Sequence, residues 1–241
     1  MKPYEHLFFD LDGTLWDIRR NTRESLLFLF DKHKEEGLDQ VDFENFLQYY
    51  TVENEKVWKL YRQNKIEKSV LRIVRFTRAF AKVKFAARQS FVQQFANDFS
   101  AHCPTQPHLI PGTLHMLQTL HGHLPMHIIT NGFSEIQHTK LHASGITHFF
   151  RHIINSEECG ARKPSEIIFR YAMEKTAARP ETSLMIGDDW EADIVGARNY
   201  GMDQCWVAGA ARRKRKCTMQ VVDMHEFLAL FSHESIHLNR S

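Results

Sequence analysis

The sequence lacks several features that would place it in special classes of protein. No uninterrupted apolar run reaches the roughly 18 residues that a membrane-spanning helix needs. The opening letters MKPYEH carry one lysine and no apolar segment before the first predicted strand, so no secretion signal is expected. The four cysteines are far apart and form no C-x-x-C pair, so neither a zinc site nor a disulfide framework is expected. These absences favour a cytoplasmic protein with no membrane partner.

Charge is nearly balanced over the whole chain but uneven along it. The net charge is +2, yet the segment 56–88 contains eleven lysines and arginines and one acid, a local charge of +10 that leaves −8 elsewhere. A segment this basic faces either solvent or an anion. We interpret it chiefly as a solvated helix face, with Lys65 and Arg75 as candidates for attracting an anionic substrate. Neutralising these two is expected to raise KM and to weaken its dependence on salt.

A second basic run, ARRKRK at 211–216, has the composition of a nucleic-acid patch but no aromatic residues among its cations. We interpret it as a solvated loop. The alternative is a nucleic-acid-binding module that uses both basic segments and performs no catalysis. Tight, salt-dependent binding of DNA or RNA in a gel-shift experiment would support that alternative.

Helical patterning dominates the segment between residues 18 and 100. Apolar residues recur three or four positions apart, as in Leu71, Val74 and Phe80, and no strand-like alternation interrupts them. The stretch CPTQPHLIPG that follows has three prolines within eight residues, which ends helices and marks a connector. Helices are predicted at 18–36, 43–62, 68–83 and 86–100.

The remainder of the chain alternates short apolar strands, MHIIT, HIIN, SLMIG and QCWV, with helices. This alternation predicts right-handed crossovers and a parallel sheet, which the opening apolar strand must join. The predicted fold class is therefore α/β, a doubly wound parallel sheet with a helical-bundle cap inserted after the first strand. The predicted boundaries are 1–16 and 103–241 for the α/β core and 17–102 for the cap. Helices are predicted at 113–121, 134–143, 165–176 and 191–200, and at the end of the chain.

Acidic side chains follow two of the predicted strands. Asp10 and Asp12 come at the end of the first strand, and Asp188, Asp189 and Asp193 follow SLMIG. Ligands of an open parallel sheet bind outside the carboxyl ends of its strands, so these acids are expected to converge. Two carboxylates about 4 Å apart repel each other by about 4 kcal/mol at an effective dielectric constant of about 20. Either protonation of some of them or a bound cation must therefore reduce this repulsion. Oxygen ligands without histidine or cysteine indicate Mg²⁺.

The same edge of the sheet is expected to supply groups suited to phosphoryl transfer. Mg²⁺ and Lys163 would offset the repulsion between an anionic carboxylate and an anionic phosphate. Asp10 would then attack phosphorus and form an aspartyl-phosphate, while Asp12 protonates the leaving oxygen and later activates water. Thr130 and Asn131, at the end of MHIIT, would donate hydrogen bonds to the phosphate oxygens.

Four short segments together carry a family resemblance. DLDGT, TNG, ARKP and GDDWEAD occur in the order and context of the four motifs of the haloacid dehalogenase superfamily. The helical insertion after the first motif resembles the type-one cap of this superfamily. The resemblance covers essentially the whole chain and implies a Rossmann-like core and Mg²⁺-dependent chemistry. It also implies that Asp10 is the nucleophile and that Asp12 is the acid and base.

The resemblance further implies a set of ligands for the metal and the phosphate. Asp10 and Asp188 would hold Mg²⁺ through their side chains, and Asp12 would hold it through its backbone carbonyl. Thr130 and Lys163 would hold the phosphoryl group. Two further acids, Asp189 and Asp193, would support these ligands indirectly, through water or through Lys163.

The second aspartate, Asp12, narrows the choice within the superfamily. The dehalogenases resembled here lack it and the transport ATPases carry threonine there, so phosphatases and phosphomutases remain. Longer stretches such as TNGFSEIQHTKLHASGITHFF are most similar to the bacterial pyrimidine 5′-nucleotidases, which act on monophosphates such as UMP and dTMP. The alternatives are a phosphomutase and a sugar-phosphate phosphatase such as N-acylneuraminate-9-phosphatase. The expected partner is a small phosphomonoester and not nucleic acid, in a monomer or a dimer.

Overall fold

The structure is a computed structural model that describes residues 4–209 and 215–235 of the 241-residue chain. Most of the basic run predicted to be a solvated loop, positions 211–214, lies outside the described residues. None of the described helices combines the length and the apolar character that crossing a membrane requires. All four cysteines are free, in agreement with the expectation from their spacing.

Six parallel strands form one sheet. They are β1 (His6–Phe9), β2 (Met126–Thr130), β3 (Phe150–Asn155), β4 (Ser183–Gly187), β5 (Asp203–Val207) and β6 (Met219–Val221). Their order in the sheet is β3-β2-β1-β4-β5-β6. This arrangement confirms the predicted α/β class and the five predicted strands. The sixth strand, β6, was not predicted, because its three residues are too few to show a pattern of alternation.

Ten α-helices accompany the sheet in the described part of the chain. They are α1 (Ile18–Lys32), α2 (Phe43–Arg62), α3 (Lys68–Lys82), α4 (Gln89–His102), α5 (Thr113–Leu120), α6 (Ser134–Ala143), α7 (Ser156–Cys159), α8 (Glu166–Thr176), α9 (Gly196–Asn199) and α10 (Met224–Ser235). Three predictions need correction. The helix predicted at 18–36 ends earlier, since α1 stops at Lys32 and a separate 3₁₀ turn follows at Lys34–Glu36. The helix predicted at 191–200 begins as a π-helical turn, Trp190–Val195, and only then continues as α9. The helix predicted at 86–100 begins three residues later, because the preceding Arg88 is still extended.

β1 lies at the centre of the sheet, between β2 and β4. Phe9 pairs with Ile128 on one side and with Ile186 on the other. The backbone N–H of Asp10 continues this pairing and donates to Ile186 O at 2.9 Å. Since β2 and β3 lie on one side of β1 and β4 lies on the other, the topological switch point falls between β1 and β4. Residues that follow these two strands therefore lie where α/β sheets bind ligands.

Both faces of the sheet are covered, which explains why its strands are continuous apolar runs. Phe8 belongs to a buried cluster that includes Ile168 and Phe169 of α8. The next residue, Phe9, points to the opposite face, where its ring meets that of Phe227 in α10 edge to face, with 6.4 Å between centroids. Packing on both sides thus fixes β1, and with it the position of the acidic residues that follow.

The chain divides into two compact units. Residues up to Ile18 and from Pro107 onward form the first, and Arg19–Gln106 form the second, so the divisions fall a few residues from the predicted ones at 16/17 and 102/103. The helical unit has an aromatic core in which, for example, the rings of Phe46 and Phe80 lie 4.8 Å apart. That this unit acts as a cap over the active site stays a prediction.

The basic segment 56–88 lies in this helical unit and is largely the solvated face that its charge suggested. Of its eleven cations, Arg75 is buried, and Lys65 is among the exposed ones. The Arg75 guanidinium lies 5.0 and 5.1 Å from the ring centroids of Phe76 and Phe99, and its Nη1 donates to Asn54 Oδ1 at 3.1 Å. Arg75 is therefore part of the interior of the helical unit and not of its solvated face. Its contribution to substrate binding stays a prediction.

Candidate active site

Lys163 is the cation around which the site is built. Its Nζ lies 2.8 Å from Asp10 Oδ1 and 2.6 Å from Asp193 Oδ1, and it donates to Ile129 O at 2.6 Å. These three acceptors match the three N–H bonds of an ammonium group. The lysine side chain is 2% exposed. Three motifs that are far apart in the sequence, those with Asp10, Lys163 and Asp193, therefore meet at the carboxyl edge of the sheet.

Asp188 joins this group from the end of β4. The Thr14 hydroxyl donates to Asp188 Oδ1 at 3.1 Å. Gly13 has a φ of +88°, and a Cβ there would lie 2.5 Å from Asp188 Oδ2. Only glycine accepts both the left-handed backbone and so close an approach. The Gly13-Thr14 pair in the first motif thus serves to place the aspartate of the last motif.

Burial and mutual repulsion oppose ionisation of all these acids together. Burial raises the pKa of Asp10 to about 7, against the attraction of Lys163 and with added repulsion from Asp193 and Asp12. Burial and the charges of Asp10 and Asp193 raise the pKa of Asp188 well above its usual range. Burial would lower the pKa of Lys163, but the carboxylates of Asp10 and Asp193 raise it above its usual value, so the ammonium persists. A cation would offset the repulsion among the acids.

The donor set of the site suits a hard metal ion. Carboxylate oxygens of Asp10, Asp188 and Asp193 lie within 4.8 Å of one another. Both oxygens of Asp193 are already engaged, because Oδ1 contacts Lys163 and Oδ2 accepts from the Asp189 N–H at 3.0 Å. Asp10 and Asp188 each retain an oxygen that accepts no hydrogen bond from a described residue. These two carboxylates therefore fit Mg²⁺ best, and the all-oxygen set is the one this ion prefers.

Thr130 ends β2 with its hydroxyl in the site. Its Oγ accepts hydrogen bonds from the Gly132 N–H at 3.1 Å and from Gln137 Nε2 at 2.7 Å. Both contacts use the oxygen as an acceptor, and the hydroxyl hydrogen has no acceptor among the residues that the structure describes. That hydrogen is available to an anionic oxygen of a ligand.

The side chain of Asn131 binds the backbone of the ARKP segment. Its Nδ2 donates to Lys163 O at 3.0 Å, and its Oδ1 accepts from the Lys163 N–H at 2.8 Å. The carboxamide thus binds the backbone of the ARKP segment in both directions and holds Lys163 beside Asp10. Donation of a hydrogen bond to phosphate by the same carboxamide stays a prediction.

Two residues of α6 reach the Asp12 carboxylate and were missed in the sequence. Lys140 Nζ lies 2.6 and 2.8 Å from the two carboxylate oxygens of Asp12. Gln137 Nε2 donates to Asp12 Oδ2 at 3.0 Å as well as to Thr130. The available signal was their spacing of three residues in the helix directly after TNG, which places both on one helical face.

The remaining predicted residues make other contacts. Asp189 caps the π-helical turn, since its Oδ1 accepts from the N–H groups of Glu191 and Ala192 at 3.0 Å. Lys65 and Arg75 belong to the helical unit. The structure therefore brings together seven of the predicted site residues, by direct contact, by close approach or through Gln137: Asp10, Asp12, Thr130, Asn131, Lys163, Asp188 and Asp193.

Comparison with known proteins agrees with this geometry. The haloacid dehalogenase-like hydrolase family model matches residues 4–201. The pyrimidine 5′-nucleotidase YjjG of Escherichia coli is 31% identical over 92% of this chain and 96% of its own length. The pyrimidine 5′-nucleotidase PynA of Streptococcus pneumoniae is 31% identical over 84% of this chain and 83% of its own.

A solved structure of YfnB from Bacillus subtilis shares the architecture. The two chains superpose with a TM-score of 0.82 at 26% identity, over 96% of this chain and all of the other. The family match spans the strands and the motif residues that form the site, from β1 to α9. The chain therefore belongs to the haloacid dehalogenase-like hydrolases.

Proposed function

We propose that this protein is a Mg²⁺-dependent phosphomonoester hydrolase that acts through a phosphorylated Asp10. The main support is that a buried ammonium lies 2.8 Å from the Asp10 carboxylate, in a group of three acids suited to a divalent ion. A carboxylate flanked by cations can approach an anionic phosphate without prohibitive repulsion. Asp12, two residues further on, is near enough for its charge to affect Asp10.

The proposed reaction has two steps. In the first, a carboxylate oxygen of Asp10 forms a bond to phosphorus while the bond to the ester oxygen breaks, and Asp12 gives that oxygen a proton. In the second, Asp12 takes a proton from water, which attacks phosphorus and restores the Asp10 carboxylate. In both steps the Lys163 ammonium, held beside Asp10, offsets the charge of the phosphate, and the free hydroxyl hydrogen of Thr130 donates to a phosphate oxygen. Mg²⁺ held by Asp10 and Asp188 would supply further positive charge to these oxygens.

We further propose that the substrate is a nucleoside 5′-monophosphate, with pyrimidine preferred to purine. The support is the full-length similarity to two proteins named pyrimidine 5′-nucleotidases. The solved structure of YfnB has magnesium bound, which supports the choice of ion. A sugar-phosphate phosphatase and a phosphomutase would use the same motif chemistry. The test below distinguishes both of them from a nucleotidase.

A phosphate-release screen over nucleoside monophosphates and sugar phosphates, with Mg²⁺ present, tests this proposal. We expect the highest kcat/KM for UMP or dTMP, and a loss of at least about a thousandfold in Asp10→Asn because no nucleophile remains. Asp31→Asn, in which an exposed carboxylate of α1 is changed in the same way, is the matched control and should keep wild-type rates.

Three results would contradict parts of the proposal. Retained turnover in Asp10→Asn would refute the mechanism. Preference for a sugar phosphate would refute the substrate class alone. Conversion of a sugar monophosphate to its isomer without net release of phosphate would identify a phosphomutase.

A further inference from the structure

The Asp12 carboxylate is held by α6 at three points. Lys140 contacts both of its oxygens and Gln137 contacts one of them, so each oxygen has at least one donor. Asp12 follows β1 by three residues, where it forms an isolated β-bridge with Trp16, and its side chain is 24% exposed. Without these donors, rotation about its two side-chain bonds and repulsion from Asp10 would favour other orientations.

Gln137 is a fully buried link between two predicted catalytic motifs. In its ionised form the Asp12 carboxylate can only accept hydrogen bonds, so the amide nitrogen of Gln137 faces it. The second hydrogen of the same nitrogen goes to Thr130 Oγ. A Cβ on Gly132 would overlap this amide group, so the glycine of TNG leaves the space in which Gln137 sits. One side chain therefore fixes the relative positions of Asp12 and Thr130.

Lys140 is similarly confined. It is 7% exposed, and its Nζ lies 4.5 Å from the ring centroid of Trp16. The indole face attracts the ammonium and shields one side of it from water. A lysine that is confined by an aromatic ring and bound to both oxygens of one carboxylate leaves that carboxylate little freedom to turn.

We propose that Lys140 and Gln137 are positioning residues that fix the Asp12 carboxylate for proton exchange with the leaving oxygen. This inference rests on the proposed phosphatase function. Proton transfer requires the acid to lie within hydrogen-bond reach of the oxygen that it protonates. The three contacts from α6 hold Asp12 in one orientation before the substrate arrives.

Leaving groups of different acidity provide the test. Phenyl phosphate and p-nitrophenyl phosphate have nearly the same shape, but phenoxide is much the more basic leaving group and needs protonation more. In a two-step mechanism kcat/KM reports the first step, in which this oxygen departs. We expect Lys140→Met to lower kcat/KM for phenyl phosphate by about 10- to 100-fold, because the acid contributes roughly that much or more. For p-nitrophenyl phosphate we expect a loss below about threefold, with the same pattern in Gln137→Met.

Two further variants separate positioning from a general effect on the fold. Lys175→Met removes another lysine–carboxylate contact of 2.8 Å, with Glu158, in the same compact unit, and should leave both rates unchanged. Lys140→Arg keeps a cation that can bind both oxygens of Asp12, and should recover at least part of the rate for phenyl phosphate. Melting temperatures of all variants show which of them are folded.

The outcomes distinguish this inference from the function on which it rests. If Lys140→Met loses the two activities equally, or if Lys140→Arg recovers nothing, positioning of the acid is refuted while the phosphatase proposal stands. If the wild-type protein releases phosphate from neither ester nor from any compound in the earlier screen, the phosphatase proposal fails and this inference fails with it.

Discussion

Lys163 and Asp193 form a buried ion pair in which the ammonium nitrogen lies 2.6 Å from the carboxylate oxygen, with the side chains 2% and 1% exposed. The same lysine also contacts Asp10. One cation therefore holds two acids that are far apart in the sequence. This ion pair fixes the ammonium group beside Asp10, the proposed nucleophile. Under the proposed function it therefore contributes to catalysis as well as to the structure.

Removing this cation is expected to destabilise the protein. Lys163→Met leaves buried carboxylates without their counter-charge, and breaking such a pair costs about 3–5 kcal/mol of unfolding free energy. The loss should be smaller at pH 6 than at pH 8, because the pKa of Asp10 is raised to about 7 and protonation removes part of the repulsion. Urea denaturation of the wild type and the variant at both pH values measures this loss of unfolding free energy. Lys175→Met, which breaks a more exposed pair, should cost less than about 1 kcal/mol, and equal losses would contradict the argument.

Mg²⁺ is expected to stabilise the folded protein. An ion that binds only the native state adds about 2.7 kcal/mol at a concentration one hundred times its Kd, so the melting temperature should rise with Mg²⁺ and fall after EDTA. The apparent affinity should increase from pH 6 to pH 8, because the raised pKa values of Asp10 and Asp188 mean that protons compete with the ion.

Substitution of one acid tests whether the stabilisation by Mg²⁺ comes from binding at this site. Asp188→Asn should abolish the rise in melting temperature, whereas Asp31→Asn, on the surface of α1, should retain it. Thermal melts across a Mg²⁺ titration measure both. An undiminished rise in Asp188→Asn would show that the ion binds elsewhere.

Loss of the Thr130 hydroxyl is expected to weaken phosphate binding. Its hydrogen is free to donate, and a hydrogen bond to a charged group contributes about 1.5–3 kcal/mol, or roughly 10- to 100-fold in kcat/KM. Thr130→Val should show this loss, while Thr130→Ser, which keeps the hydroxyl, should stay near the wild-type rate. Steady-state kinetics on the best substrate measure both, and equal loss in the two variants would point to packing instead.

His127 is expected to make stability depend on pH. It lies in β2, is 1% exposed, and its Nδ1 has no partner among the described residues. Burial, with the neighbouring charges of His6, His152 and Arg151, lowers its pKa to about 3. The unfolded chain binds this proton near pH 6.5 and the folded protein does not, so stability falls as pH drops below about 6.5, by up to about 1.4 kcal/mol per pH unit.

A phenylalanine at this position should remove that dependence. His127→Phe keeps an aromatic ring beside Phe8, whose ring lies 4.8 Å away, but cannot take up a proton. Its unfolding free energy should therefore fall less steeply than that of the wild type between pH 6.5 and pH 4. The exposed His115→Phe is the control and should keep the wild-type slope. Identical slopes for all three proteins would show that His127 does not carry the effect.

Strong local patterns made most of the fold predictable. The runs MHIIT and SLMIG are strands as predicted, and α2 and α6 have their predicted bounds. Weak patterns were less informative. Strand β6 is too short to show an alternation of apolar and polar residues, and it is recognisable as a strand only because it pairs with β5. The π-helical turn at Trp190–Val195 likewise has no periodic signal that separates it from an α-helix.

The sequence by itself determined the identity of the acids, the lysine and the threonine at the strand ends, because parallel strands bring their carboxyl ends to one edge. Only the tertiary structure showed that Asn131 binds the backbone of Lys163 and that Lys140 and Gln137 hold Asp12. The end of a strand specifies where in the fold a residue lies. The group to which its side chain hydrogen-bonds depends on which neighbouring segment packs beside it. That packing is decided by contacts between segments 32 to 128 residues apart, which no local pattern records.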